Sequence, residues 1–117
     1  MKKSPLNGIV GFDWNSGNIA HIGLHNVNQE EAEDLFFDPK NILKDDLGHS
    51  SKEKRFIIIG KTQKGRLLYQ VFTRRIDKIR VISSRDINKK EVRLYEKKVS
   101  RTKFYKRIGR GKILGQS

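Results

Sequence analysis

A chain of 117 residues with a formal net charge of +13 and no cysteine has the length of one domain and no means for a disulfide framework or a thiolate zinc site. No apolar run approaches the ~20 residues of a membrane-spanning helix. The start, MKKSPLNGIVGF, has two lysines but no apolar stretch of signal-peptide length, so a cytoplasmic protein is expected.

In chain order, Ile9 to Trp14 (IVGFDW) reads as a first strand. Asn15 or Ser16 can cap a helix whose loose apolar stripe is Ile19, Ile22 and Leu24, with Gly17 and Gly23 weakening it. Asn28 caps a second helix, NQEEAEDLF. Glu30, Glu31 and Glu33 sit near its positive end, Ala32, Leu35 and Phe36 face inward, and Asp38-Pro39 stops it. Asn41 to Asp45 reads as a short edge strand and Asp46 to Glu53 as a polar loop.

Three β-branched or aromatic runs follow: Phe56 to Ile59, Leu67 to Phe72 and Ile79 to Ser83. Lys64-Gly65 and Arg75-Ile76-Asp77 stand between them, which predicts an antiparallel meander. In a regular strand Arg80 shares a face with Ile82, while Arg85 shares the other with Ile79, Val81 and Ser83. Asn88 with Glu91 makes an N-cap and part of a capping box for a last helix with Val92, Tyr95 and Val99 on one stripe. The expected fold is α+β, a compact antiparallel sheet with two N-terminal helices and a C-terminal helix packed on it. Residues 1–99 form the domain, and residues 100–117 form a basic extension expected to be flexible.

The charge is unevenly spread. Residues 1–73 hold ten Lys/Arg against nine Asp/Glu, and residues 74–117 hold sixteen against four. A positive field gathered in one part of a chain concentrates polyanions, which favours a nucleic-acid partner; an acidic protein and a plain solvated tail are the other readings. Gly60-Lys61-Thr62 is not a phosphate loop, because Arg55 stands where the first glycine belongs. His21 and His25 have helical zinc spacing but no glutamate between them, and no metal or cofactor is expected. Arg, Lys, His and Tyr without a metal constellation suit RNA cleavage by attack of the 2′-hydroxyl on the adjacent phosphate. That chemistry needs a base, an acid and cations for the developing charge.

The blocks FDW, HNVNQEEAEDLFFDP, KRFIIIG, GRLLYQVFTRR and IRVISSRDINKKEVRLYE, from Phe12 to Glu96, resemble the BrnT toxins, small RelE-like ribonucleases of type II toxin–antitoxin pairs. The resemblance implies a metal-independent endoribonuclease that inhibits translation and growth. Its implied partners are RNA, a BrnA-type ribbon-helix-helix antitoxin and, through the antitoxin complex, operator DNA. It implies His25, Arg80 and Arg85 as catalytic residues and Arg55, Arg75 and Tyr95 as RNA contacts. Each has a plainer reading: an ion pair to Glu31, Glu53 or Glu91 for Arg80 or Arg85, a helix-closing residue for His25, core for Tyr95 and an exposed turn for Arg75. The chain departs from the family where Leu24 and Asn26 flank His25 in place of Lys and Gly. Further departures are Asn28 for a serine cap, Ile76 for a turn glycine, Ser84 for an alanine and Asn88 for a threonine cap. Leu24 favours the alternative of a non-catalytic nucleic-acid- or antitoxin-binding relative.

Overall fold

A computed structural model of the chain describes residues 4–49 and 52–111. Each apolar run becomes a strand, and each asparagine read as a cap starts a helix. The order is β1 (Gly11–Phe12), α1 (Ser16–Gly23), α2 (Gln29–Asp34), β2 (Ile42–Asp45), β3 (Arg55–Lys61), β4 (Leu67–Arg75), β5 (Lys78–Asp86) and α3 (Lys89–Gly111). Single 3-10 turns lie at Leu35–Phe37 and Leu47–His49. The strands form one sheet in the order β1-β5-β4-β3-β2, with β2 at an edge as expected. The α+β class holds. The sheet is mixed, however, because β1 pairs parallel to β5. A tight turn dictates antiparallel pairing, but the chain passes through two helices and three strands between β1 and β5, so no turn sets their direction.

The sheet separates two cores. On one face Ile22, Val27, Ala32 and Leu35, from α1, α2 and the residues next to them, meet Ile58, Leu68, Phe72, Ile79 and Val81. Phe12, Phe36, Phe72 and Phe56 continue that core as a chain of rings with centroids 5.0–5.5 Å apart. Within it Gln70, fully buried, donates to the Ala32 carbonyl and accepts from the Ser84 hydroxyl, so both of its polar ends are satisfied. On the other face Ile57, Ile59 and Tyr95 form a smaller core with Tyr69, Val71 and Val99.

The helix starts are built alike. Asn15 accepts from the Gly17 and Asn18 amides while Asn18 reaches back to the Asn15 amide. Asn28 with Glu31 and Asn88 with Glu91 make the same reciprocal pair. Leu24 does not join the apolar stripe. It is the C-cap of α1, and its side chain is 76% exposed. α3 begins where expected and runs through the residues read as an extension as far as Gly111; residues 112–117 lie outside the described ones.

The β4–β5 turn carries strain. Arg75 pairs with Lys78, leaving Ile76-Asp77 as a two-residue turn, and Ile76 has φ +59°. A β-branched residue in the left-handed region is costly, by about 1–2 kcal/mol. Ile76 recovers nothing by packing, since it is 91% exposed. Ile76→Gly is therefore expected to stabilise the chain by roughly 1 kcal/mol. A thermal melt checks it, and a lower melting temperature contradicts it.

Candidate nucleic-acid interface

The decisive local feature is a bulge in β5. Phe72 pairs with Val81 and Val71 with Ser83, so Ile82 is an extra residue without an opposite number. One inserted residue reverses the alternation beyond it. Arg80 pairs with Thr73 and Arg85 with Tyr69, both odd-numbered positions of β4, so the two arginines share a face. A regular strand, as read from the sequence, would have put them on opposite faces.

Sharing a face does not make them neighbours. Five residues of strand, roughly 16 Å, separate them. Arg85 is committed: it makes a two-pronged contact to Glu91, both bonds at 2.9 Å, and its guanidinium lies 4.1 Å over the Tyr69 ring. Glu91 is also the capping residue of α3, so this pair fastens the helix to the sheet. Tyr95 is committed as well. It is 4% exposed, and its hydroxyl donates to Asp38 at 2.7 Å. Burial, with Asp38 beside it, pushes that hydroxyl well above its usual range and keeps it a donor. The geometry makes Tyr95 a latch between α3 and the Asp38 turn, within the smaller core.

Arg80 heads a different group at the opposite end of the strands. Arg55 pairs with Thr73 and Thr73 with Arg80, so the three form one row across β3, β4 and β5. Neighbouring strands lie ~4.8 Å apart, which puts the two arginine backbones about 10 Å apart and within reach of one phosphate. Arg75 stands two residues along the same face of β4. The Arg80 side chain is 15% exposed and is held in place by Asn15, which accepts from Nη2 at 3.2 Å, and by Asp13, 3.7 Å from Nη1. Nη1 itself is buried without a hydrogen-bond partner. Arg75, half exposed, bridges Asp13 at 3.9 Å and Glu53 at 3.5 Å. Asp13 thus sits between two guanidinium groups. Reading the sequence for cations passed over it, although it stands in the FDW block.

His25 lies elsewhere. α1 starts beside Arg80 through Asn15 and runs ~12 Å before the chain reaches His25. His25 is exposed, and its carbonyl accepts from Arg66 at 2.9 Å. Arg66, also passed over, gathers this end. It bonds the Asn26 carbonyl at 2.7 Å, Asp86 at 2.8 Å and Glu31 at 3.2 Å. Asn26 has φ +57°, a conformation that asparagine tolerates better than most residues. The expected convergence of His25, Arg80 and Arg85 on one phosphodiester is therefore not what the fold builds. Arg55, Arg75 and Arg80 come together, while His25 and Arg85 stand at the far end. Among the described residues no three His, Asp or Glu side chains are placed to hold a metal ion.

Residues 14–91 match the family of the ribonuclease toxin, BrnT, of type II toxin–antitoxin systems. The chain belongs to the BrnT toxin family. No curated protein matches it by sequence. The family match takes in His25, every strand arginine named above and the Asn88–Glu91 cap, but it stops at the first turn of α3. Within the matched region, Leu24 and Ile76, where the resemblance leads one to expect lysine and glycine, are both largely exposed.

The arginine–carboxylate pairs predict an acid limb. Hydrogen bonds from Arg85 hold the Glu91 carboxyl below its ordinary value of 4.5, and Arg66 does the same for Asp86 below 3.8. A carboxyl with a depressed folded pKa contributes stability that is complete above its unfolded pKa and is lost as pH falls through the folded value. Stability is therefore expected to decline below about pH 4.5. Glu91 dominates, because its side chain is 12% exposed whereas Asp86, at 67%, is screened by solvent. Glu91→Gln should flatten that decline in melts taken from neutral to acid pH; an unchanged slope rules the pair out as its source.

Proposed function

We propose that the chain is a metal-independent endoribonuclease whose phosphate-binding surface is the row Arg55–Thr73–Arg80 with Arg75. That row carries the reading. Guanidinium groups bind phosphate through a planar fork and stay charged throughout the reaction. Arg80 is pre-set by Asp13 and Asn15. In this mechanism the substrate's 2′-hydroxyl gives its proton to Asp13 and attacks phosphorus. Arg55, Arg75 and Arg80 meet the charge that develops on the phosphoryl oxygens. The 5′-oxygen leaves with a proton from water, and the other product ends in a 2′,3′-cyclic phosphate.

The proposed inhibitor is a BrnA-type ribbon-helix-helix antitoxin, with operator DNA bound by the complex. An apolar groove of about 340 Å³ beside the edge strand β1 supports a protein partner. Leu6, Val10, Phe36 and Phe37 are among its lining residues, and Val10 and Phe37 are more than 70% exposed. The test is cleavage of a synthetic RNA in the presence of a chelator, with the cyclic phosphate as the expected end. RNA left intact by a folded chain would establish the alternative, a non-catalytic nucleic-acid- or antitoxin-binding relative, which the exposed Leu24 in place of a lysine favours.

A further inference from the structure

α3 continues for twenty residues after the family match ends at residue 91. Its first half packs on the body. There Glu91 holds Arg85, Tyr95 reaches Asp38, Val99 joins the smaller core, and Lys98 donates to the Asn41 carbonyl. From Ser100 to Gly111 the backbone stays helical for a further ~18 Å. The molecule measures 55 Å along its longest axis against 31 and 26 Å across.

The sequence of that second half, SRTKFYKRIGRG, holds five cations, Arg101, Lys103, Lys106, Arg107 and Arg110, and no acid. It also has two aromatic residues, Phe104 and Tyr105, between them. Such a segment has too little apolar content to form a core of its own. Cations along a helix, interleaved with rings, suit a strand of phosphates and bases. α3 also packs on the same sheet face that carries Arg55, Arg75 and Arg80. The helix lies toward the end of that face where Lys61 pairs with Leu67, so a polyanion held at those arginines reaches it by running roughly 20 Å along the face.

We infer that residues 100–111 form a basic helical arm that binds the single-stranded RNA backbone flanking the phosphodiester held by the arginine row. This deepens the ribonuclease reading and rests on it for the choice of RNA. The experiment uses the whole chain and an RNA with 2′-O-methyl groups, which lack the attacking hydroxyl and cannot be cut. Its affinity is measured across a salt series. The comparison is a full-length variant carrying Arg101→Gln, Lys103→Gln, Lys106→Gln, Arg107→Gln and Arg110→Gln, since glutamine preserves helix propensity. Circular dichroism monitors the fold.

Each lost phosphate contact on a single strand lowers the slope of log affinity against log salt by about 0.7, so a fall of about 2 or more is expected. Cleavage of a dinucleotide, too short to reach the arm, should be the same in both proteins. An unchanged slope overturns the arm, as does a fall seen with duplex DNA but not with RNA. Because the slope is read on uncuttable RNA, the arm stands or falls on it even if the chain cleaves nothing; lack of dinucleotide cleavage by the unaltered chain counts against the ribonuclease site instead.

Discussion

Arg80→Ala is expected to lower RNA cleavage by about 100- to 1000-fold, the effect of removing one pre-set charge-stabilising donor from a reaction centre. The fold should survive. Asp13 keeps Arg75 as a counter-ion, so no buried carboxylate is left unpaired, and the stability loss should be about 1–2 kcal/mol. Arg80→Lys tests the cause. It retains the charge but loses the fork that reaches Asn15 and Asp13 together, so only part of the activity should return. His25→Ala is the contrast, because α1 carries His25 to the other end of the sheet; its cleavage should be little changed. Undiminished cleavage in folded Arg80→Ala removes the arginine row from the site. A loss in His25→Ala as deep as that in Arg80→Ala would show that the chemistry draws on the far end as well.

The second large effect is on folding. Inserting one alanine between Ser83 and Ser84 adds a second unpaired residue to β5 beyond the bulge, whereas deleting Ile82 would leave Ser83 on Val71 and Arg85 on Tyr69. The segment after the inserted alanine then reverses its faces, because a one-residue slip moves every side chain to the opposite side. Ser84 would leave Gln70, and Arg85 would turn toward the core of Phe72 and Leu68, away from Glu91 and Tyr69. A buried, unpaired guanidinium and an unsatisfied Gln70 together cost several kcal/mol, a large share of the ~5–15 kcal/mol that holds a domain folded. Loss of a cooperative unfolding transition is expected. Ile82→Ser is the control. It keeps the residue count at a half-exposed position and should fold with a loss of about 1 kcal/mol. If both proteins melt alike, the register of β5 beyond the bulge is not what sets the two faces.

Much of the fold was legible because its signals are local. Asn15, Asn28 and Asn88 each begin a helix by bonding backbone amides two or three residues on, which spacing alone reveals. The meander was legible from strand-length apolar runs broken by short turns. The site was legible only in its inventory. Arg55, Arg75 and Arg80 were named from the sequence, yet nothing in their spacing told which would be neighbours. Arg66 and Asp13 escaped notice because their partners lie 20–41 and 62–67 positions away: Asp86, Glu31, Asn26 and His25 for the first, Arg75 and Arg80 for the second. Tyr95 looked the same in sequence whether it faced solvent or Asp38.

By itself the sequence determined where helices start, which runs become strands, how the charge is distributed and which family the chain resembles. These follow from short-range hydrogen bonding, side-chain periodicity and composition. Only the tertiary structure decided which cations share a surface. The extra residue at Ile82 has no local signature and exists because Phe72 and Val71 pair with Val81 and Ser83. The separation of His25 from Arg80 is likewise set by the direction in which α1 lies along β5. Strand register and helix docking are choices among long-range contacts, and no stretch of neighbouring residues contains them.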